Sequence, residues 1–262
     1  MVSFTAHGLP LIVVAALWFG STGLVLWLDS RAPSSFGRSL AWSGIVAIGG
    51  ALLLAFTVDD AGVGAAYLSF AGGLAIWGWH ELSFLTGVVA GPNRAPCPPR
   101  LAGWARFRAA AATLIHHEVA MAATALLLLA LAWGHTNPTG AYAFALLFVL
   151  RLSAKLNIFL GVPSFADELL PPHLAYLRSY FTKAPATAFF PVSLLAAAAT
   201  AAWFAATALT ALTAAGGAAV GASLLFALAA LGLVEHLFLV MPVRDAALWR
   251  WARSGTAVGR QG

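Results

Sequence analysis

The chain has 262 residues, of which 61% are hydrophobic and 9% charged, with a mean hydropathy of +0.87 and a formal net charge of +5. That balance excludes an ordinary soluble globular domain and places the chain in a membrane. A single cysteine, Cys97, excludes an internal disulfide and a cysteine-type zinc site. Seven apolar stretches follow in chain order, at about 9–28, 39–57, 64–90, 109–133, 140–161, 187–211 and 216–241, each near or above the roughly 20 residues that cross a hydrocarbon core. Runs such as Ala120–Ala132 carry no charge and show no period-two alternation. The expected architecture is therefore all-α, a polytopic bundle of seven transmembrane helices in one domain over residues 1–262, and not a barrel. The first stretch lacks a basic leader and a small-residue cleavage site, so it is expected to be retained.

The connections carry a charge bias. Arg31 and Arg38 lie between spans 1 and 2, and Arg94, Arg100, Arg106 and Arg108 between spans 3 and 4. Lys155, Arg178 and Lys183 lie at or between spans 5 and 6, and Arg244, Arg250, Arg253 and Arg260 in the tail. The opposite ends, at Asp59-Asp60, at His135–Pro138 and at Gly216-Gly217, have no arginine or lysine. The bias predicts an outside N-terminus and a cytoplasmic C-terminus. It also accounts for the positive charge through anionic lipid, with no need of nucleic acid. Pro92, Pro96, Pro98 and Pro99 forbid a helix over 91–100. Residues 173–183 (HLAYLRSYFTK) are expected to form a short interfacial helix with Tyr176 and Tyr180 on one face, and Leu248–Arg253 an interfacial anchor.

Three polar clusters stand out inside the apolar spans: His80-Glu81, His116-His117-Glu118 and Glu235-His236. They hold three of the nine acidic residues and four of the seven histidines. Ionisable groups at bilayer depth are expensive, face the protein interior and mark function. With the expected topology all three clusters lie at similar depth near the cytoplasmic face, where Asp167, Glu168 and His173 could cover them. Three readings stay open. Imidazole with carboxylate suits a di-iron or other transition-metal centre held by His80, Glu81, His116, His117, Glu118, Glu235 and His236. Neighbouring residues on a helix point about 100° apart, so His116, His117 and Glu118 cannot all reach one ion. Alternatively Arg151 and Lys155, four apart on span 5, pair with Glu81, Glu118 and Glu235 and leave the histidines as packing groups. In the third reading one histidine is the axial ligand of a tetrapyrrole, with Trp77 and Trp79 lining its pocket. Asn157 is expected to hydrogen-bond between helices. Proton-coupled transport finds no support in an inverted repeat or paired broken helices. His7 and His135 read as solvated or interfacial.

The stretch AIWGWHELSFLTGVVAGPNRAPCP at 75–98, LIHHEVAMA at 114–122, RLSAKLNIFLGVPSFADELLP at 151–171 and the pair Phe190-Pro191 resemble the PuhE family of photosynthetic complex assembly proteins. The similarity extends over most of the chain and is most specific at 75–98 and 151–171. It implies a multi-pass protein of the inner (cytoplasmic or intracytoplasmic) membrane of purple phototrophic bacteria, encoded beside genes for the reaction-centre H subunit. The implied partners are reaction-centre or bacteriochlorophyll-synthesis proteins, and the implied role is assembly of the photosynthetic apparatus. No defined reaction and no catalytic residues come with it. An assembly factor with a built-in metal or tetrapyrrole site is the expected function, and a metal-dependent membrane oxidase or hydroxylase of bacteriochlorophyll synthesis the alternative.

Overall fold

The computed structural model describes residues 2–165, 170–211, 216–242 and 249–253. Asp167 and Glu168, expected over the polar clusters, lie outside the described residues, as do Arg244, Arg260 and the side chains of Arg250 and Arg253. The described chain is helical: α1 (Leu9–Asp29, entered through a π-helical turn at Phe4–Gly8), α2 (Phe36–Thr57), α3 (Val63–Leu85), α4 (Gly103–Ala111), α5 (Ile115–Ala132), α6 (Thr139–Leu160), a 3-10 helix (Pro172–Tyr180), α7 (Phe189–Thr210), α8 (Gly217–Phe238) and the short α9 (Arg250–Arg253). A lone parallel bridge between Val162 and Lys183 closes the α6–α7 connection.

Among the described residues six helices are long and apolar enough to cross a membrane: Phe4–Asp29, Pro33–Thr57, Ile115–Ala132, Thr139–Leu160, Phe189–Thr210 and Gly217–Phe238. They carry large apolar side chains on their outer faces, among them Ile45, Leu126, Leu127 and Leu195, with Phe56 81% exposed. An outward apolar surface of this extent needs hydrocarbon around it, so this is a multi-pass membrane protein. α3 is also long enough, since its 23 residues span about 34 Å. It is set apart because Trp77, Trp79, His80, Glu81 and four glycines dilute its apolar character.

α3 tolerates those residues because protein surrounds it. It packs against α1, α2, α5, α6 and α8, while α8 packs on α1, α3, α6 and α7. Small residues let backbones touch at these crossings, the usual device where lipid supplies no hydrophobic drive. A Cβ on Gly73 of α3 would strike the Gly140 carbonyl of α6, and one on Gly140 would strike the Ser69 carbonyl. The Gly140 amide also donates to Ser69 Oγ at 2.9 Å. Above this contact Phe70, Val220 and Leu224 form one core cluster, and Phe144, Met121 and Leu128 another.

Four local expectations are corrected. The third span stops at Leu85 instead of 90. Gly87 adopts φ +74°, its amide bonds the Phe84 carbonyl and that of Val88 the Ser83 carbonyl, which is a Schellman stop. The fourth span is broken at 112–114. There the 86–100 loop inserts: Gly91 lies on the backbone of Ala112–Leu114, and Asn93 N–H donates to the Ala112 carbonyl. The His117 amide donates to the Ala90 carbonyl at 3.1 Å, which satisfies an orphan donor of the first turn of α5. In place of a helix over 173–183 there is a 3-10 helix over Pro172–Tyr180, and its three residues per turn align Leu174, Leu177 and Tyr180 as the buried face, so Tyr176 and Tyr180 diverge. The tail folds inward: Trp249 is buried against Phe19 and Trp18 of α1, and Gly23 makes room for Trp251.

Gly140→Ala is expected to destabilise the protein by about 1–3 kcal/mol through overpacking. Gly49→Ala, whose added methyl meets open space, should be neutral or stabilising by up to about 1 kcal/mol. Thermal unfolding of both variants in detergent checks the contrast.

Candidate functional site

The buried polar residues gather where α3, α5 and α6 meet near the arginine-rich end. α3 supplies His80 and Glu81, α5 supplies His117 and Glu118, and α6 supplies Arg151 and Lys155 one turn apart. Arg151 Nη2 donates to Glu81 Oε2 at 3.3 Å, and Lys155 Nζ donates to Glu118 Oε1 at 2.5 Å. Two carboxylates thus meet two cations, and the site has no net charge to desolvate. Lys155 also lies over the Phe84 ring, 5.3 Å from its centroid. Arg151 is half-exposed at the rim of the bundle, whereas Glu81, Glu118 and Lys155 are largely enclosed.

Next to these pairs lies a cluster of buried polar atoms. His117 has no exposed surface and rests on the Phe84 ring at 4.8 Å. Its Nε2 stands 4.0 Å from Glu81 Oε1, too far for a hydrogen bond. His80, likewise buried, contacts Thr124 Oγ1 through Nε2 at 3.0 Å and is flanked by Trp79 and Phe144. Four buried atoms here lack any hydrogen-bond partner: His80 Nδ1, Glu81 Oε1, and Nδ1 and Nε2 of His117. Each such atom costs on the order of 1–3 kcal/mol, so buried groups left without partners in one region mark it as a functional candidate.

The remaining expected ligands go elsewhere. His116 is exposed on the outer face of α5. Glu235, also exposed, accepts a hydrogen bond from Trp18 Nε1 of α1 at 2.8 Å. His236 is buried but satisfied at both nitrogens, by the Gly232 carbonyl at 2.8 Å and Ser153 Oγ at 3.0 Å. Asn157 bridges helices as expected, donating to Ser193 Oγ of α7 and to the Ser153 carbonyl. His173 donates to the Leu85 carbonyl at 2.7 Å on the far side of the α3 terminus. Among the described residues no three His, Cys, Asp or Glu side chains stand at metal-holding spacing. A di-metal centre does not fit, because Glu118 is committed to Lys155 and Glu235 to Trp18. A tetrapyrrole does not fit at His80 or His117, because both side chains are buried and neither ring nitrogen opens onto space for a macrocycle.

The sequence reading missed Thr124, Ser153 and Trp18. Thr124 had a signal: it is the one hydroxyl in the Ala120–Ala132 run and lies seven residues, two turns, after His117 on the same face. Trp18 had none.

Lys155→Met should cost about 3–5 kcal/mol by leaving the Glu118 carboxylate buried and unpaired. Combining it with Glu118→Gln should restore most of that loss, as read from unfolding of the two single variants and the double variant.

This chain is 42% identical over 241 residues to an uncharacterized 30.4 kDa protein in the puhA 5′ region of Rhodobacter capsulatus, a match covering 90% of this chain and 86% of that one. No solved structure matches. The family model described as a protein of unknown function, DUF3623, matches residues 4–258, and the chain belongs to that family.

Proposed function

We propose that the protein is a membrane assembly factor for the bacterial photosynthetic apparatus, of the PuhE type that its sequence resembles, acting on reaction-centre or bacteriochlorophyll supply. Two lines support this reading. The Rhodobacter capsulatus relative is described by its place in the puhA 5′ region, and a neighbourhood of reaction-centre H genes is what the resemblance implies. The structural observation that carries it is the ordered cap on the arginine-rich end. Arg106 donates to the Tyr180 carbonyl and Thr182 Oγ1 at 2.8 and 2.9 Å and stacks on Phe159. Asn93 joins the Ala109 carbonyl to the Tyr180 hydroxyl. Arg106 is thus a brace of the cap, while Arg100, Trp104 and Arg108 remain exposed, residue types that dominate protein–protein contacts.

The second reading, a metal-dependent oxidase or hydroxylase, is favoured by the unsatisfied atoms of His80, Glu81 and His117. Two imidazoles and one carboxylate are donors of the kind iron takes, but these three do not stand at metal-holding spacing, so this reading ranks second. One affinity preparation from phototrophic membranes separates the two. For the assembly factor, reaction-centre or pigment-synthesis proteins should co-purify, survive His117→Gln and fall about tenfold with Arg100→Glu/Arg108→Glu. A stoichiometric metal lost with His117→Gln, without partner proteins, would instead establish the enzyme reading.

We further infer that α3 crosses the bilayer with the other six, giving seven spans in the bacterial inner membrane, the cap cytoplasmic and the N-terminus outside, on the strength of the arginine and lysine bias. Half-buried Cys97, on the cap, should react with an impermeant maleimide only in inverted vesicles. Asp60→Cys in a Cys97→Ser background should react only in spheroplasts. The reverse pattern would overturn the orientation.

A further inference from the structure

On the arginine-rich end, a cleft of about 340 Å³ opens between the start of α2, the end of α3 and the 3-10 helix, its walls including Phe36, Gly87, Arg94, His173, Leu174 and Tyr176. The volume falls within the range of small-ligand sites. It would hold roughly eleven water-sized groups at ~30 Å³ each, comparable to a phosphodiester with its glycerol. On the seven-span reading above, the start of α2 and the end of α3 set this cleft at the level of lipid headgroups.

Its floor is the stop of α3. A Cβ on Gly87 would press on the His173 ring, so glycine keeps this floor open. Arg94 Nη2 donates to the Gly87 carbonyl at 3.0 Å. That bond fixes the guanidinium in the wall and leaves its other N–H groups for a ligand. His173 is held by its bond to the Leu85 carbonyl and packs against Phe36 at 5.8 Å. The Tyr176 hydroxyl has no hydrogen-bond partner. Burial pushes its pKa up and the nearby Arg94 charge pulls it partly back, so at neutral pH it remains an O–H donor. Among the described residues no carboxylate lines the cleft. A fixed cation, a donor without an acceptor and an apolar wall of Phe36 and Leu174 thus meet in one place.

We propose that this cleft binds the phosphate of an anionic membrane lipid, with Arg94 and Tyr176 on the phosphate and the chain lying along Phe36 and Leu174. Free phosphate shares the headgroup chemistry, but only a lipid uses the apolar wall. The complementarity is local: Arg31 is stacked on Trp27, and Arg38 is exposed outside the cleft.

Native mass spectrometry of detergent-purified protein titrated with phosphatidylglycerol, phosphatidylcholine or inorganic phosphate tests this. Wild type should retain one phosphatidylglycerol in preference to phosphatidylcholine, and millimolar phosphate should not displace it. Arg94→Gln should lower occupancy about tenfold, as for loss of one charge-assisted contact, and Tyr176→Phe severalfold. Arg38→Gln should leave occupancy unchanged. Equal retention of the two lipids by wild type would overturn the proposal without any variant being needed, which covers the case that Arg94→Gln does not fold. Displacement by phosphate alone would overturn the lipid assignment, and equal loss in Arg38→Gln would reduce it to diffuse surface charge.

Discussion

A charge carried into the membrane must bring its opposite, because neither lipid nor a buried interface will solvate it. Here two such pairs meet on one face of α6. Arg151 reaches Glu81 on α3, and Lys155, one turn later, reaches Glu118 on α5. The two pairs fix three helices in rotation and depth, and a slide of any one by a turn would break at least one pair. The close glycine crossing of α3 with α6 depends on the same register, since Gly73 and Gly140 meet only when both helices sit at this height. His80 and His117, whose rings stand 6.5 Å apart, are set beside these pairs by the same register.

Much of this was legible in the sequence. Composition fixes the membrane class, and the i, i+4 spacing of Arg151 and Lys155 marks them as partners for the glutamates, which they are for Glu81 and Glu118. Glu235 breaks the pattern. Depth placed it with the others, but rotation about α8 turns it toward Trp18, and depth alone cannot resolve rotation. The same ambiguity divides His116 from His117: one residue of offset, about 100°, puts one ring outside the bundle and its neighbour wholly inside. The break at 112–114 had no proline to announce it. It comes from a distant loop whose Gly91 fits against that backbone, a tertiary effect that no local window contains.

The polar centre departs from the rule that buried polar groups are paired. His236 shows how the same bundle satisfies such a group when it is structural: a hydroxyl and a backbone carbonyl suffice. His117 has neither, although Thr124 lies two turns along its own helix and Ser153 on the adjacent α6. Departures of this kind in an otherwise consistent structure gather at functional positions, and this one lies beside the cap, at the end of the molecule where the arginines collect.

The hydrogen bond from the His117 amide to the Ala90 carbonyl has a mechanical side. Ala90 belongs to the same loop as Asn93, which is tied to Tyr180, so hydrogen bonds join the outer rim of the protein to the first turn of α5. The loop that caps the bundle thereby also sets where His117 stands relative to Glu81.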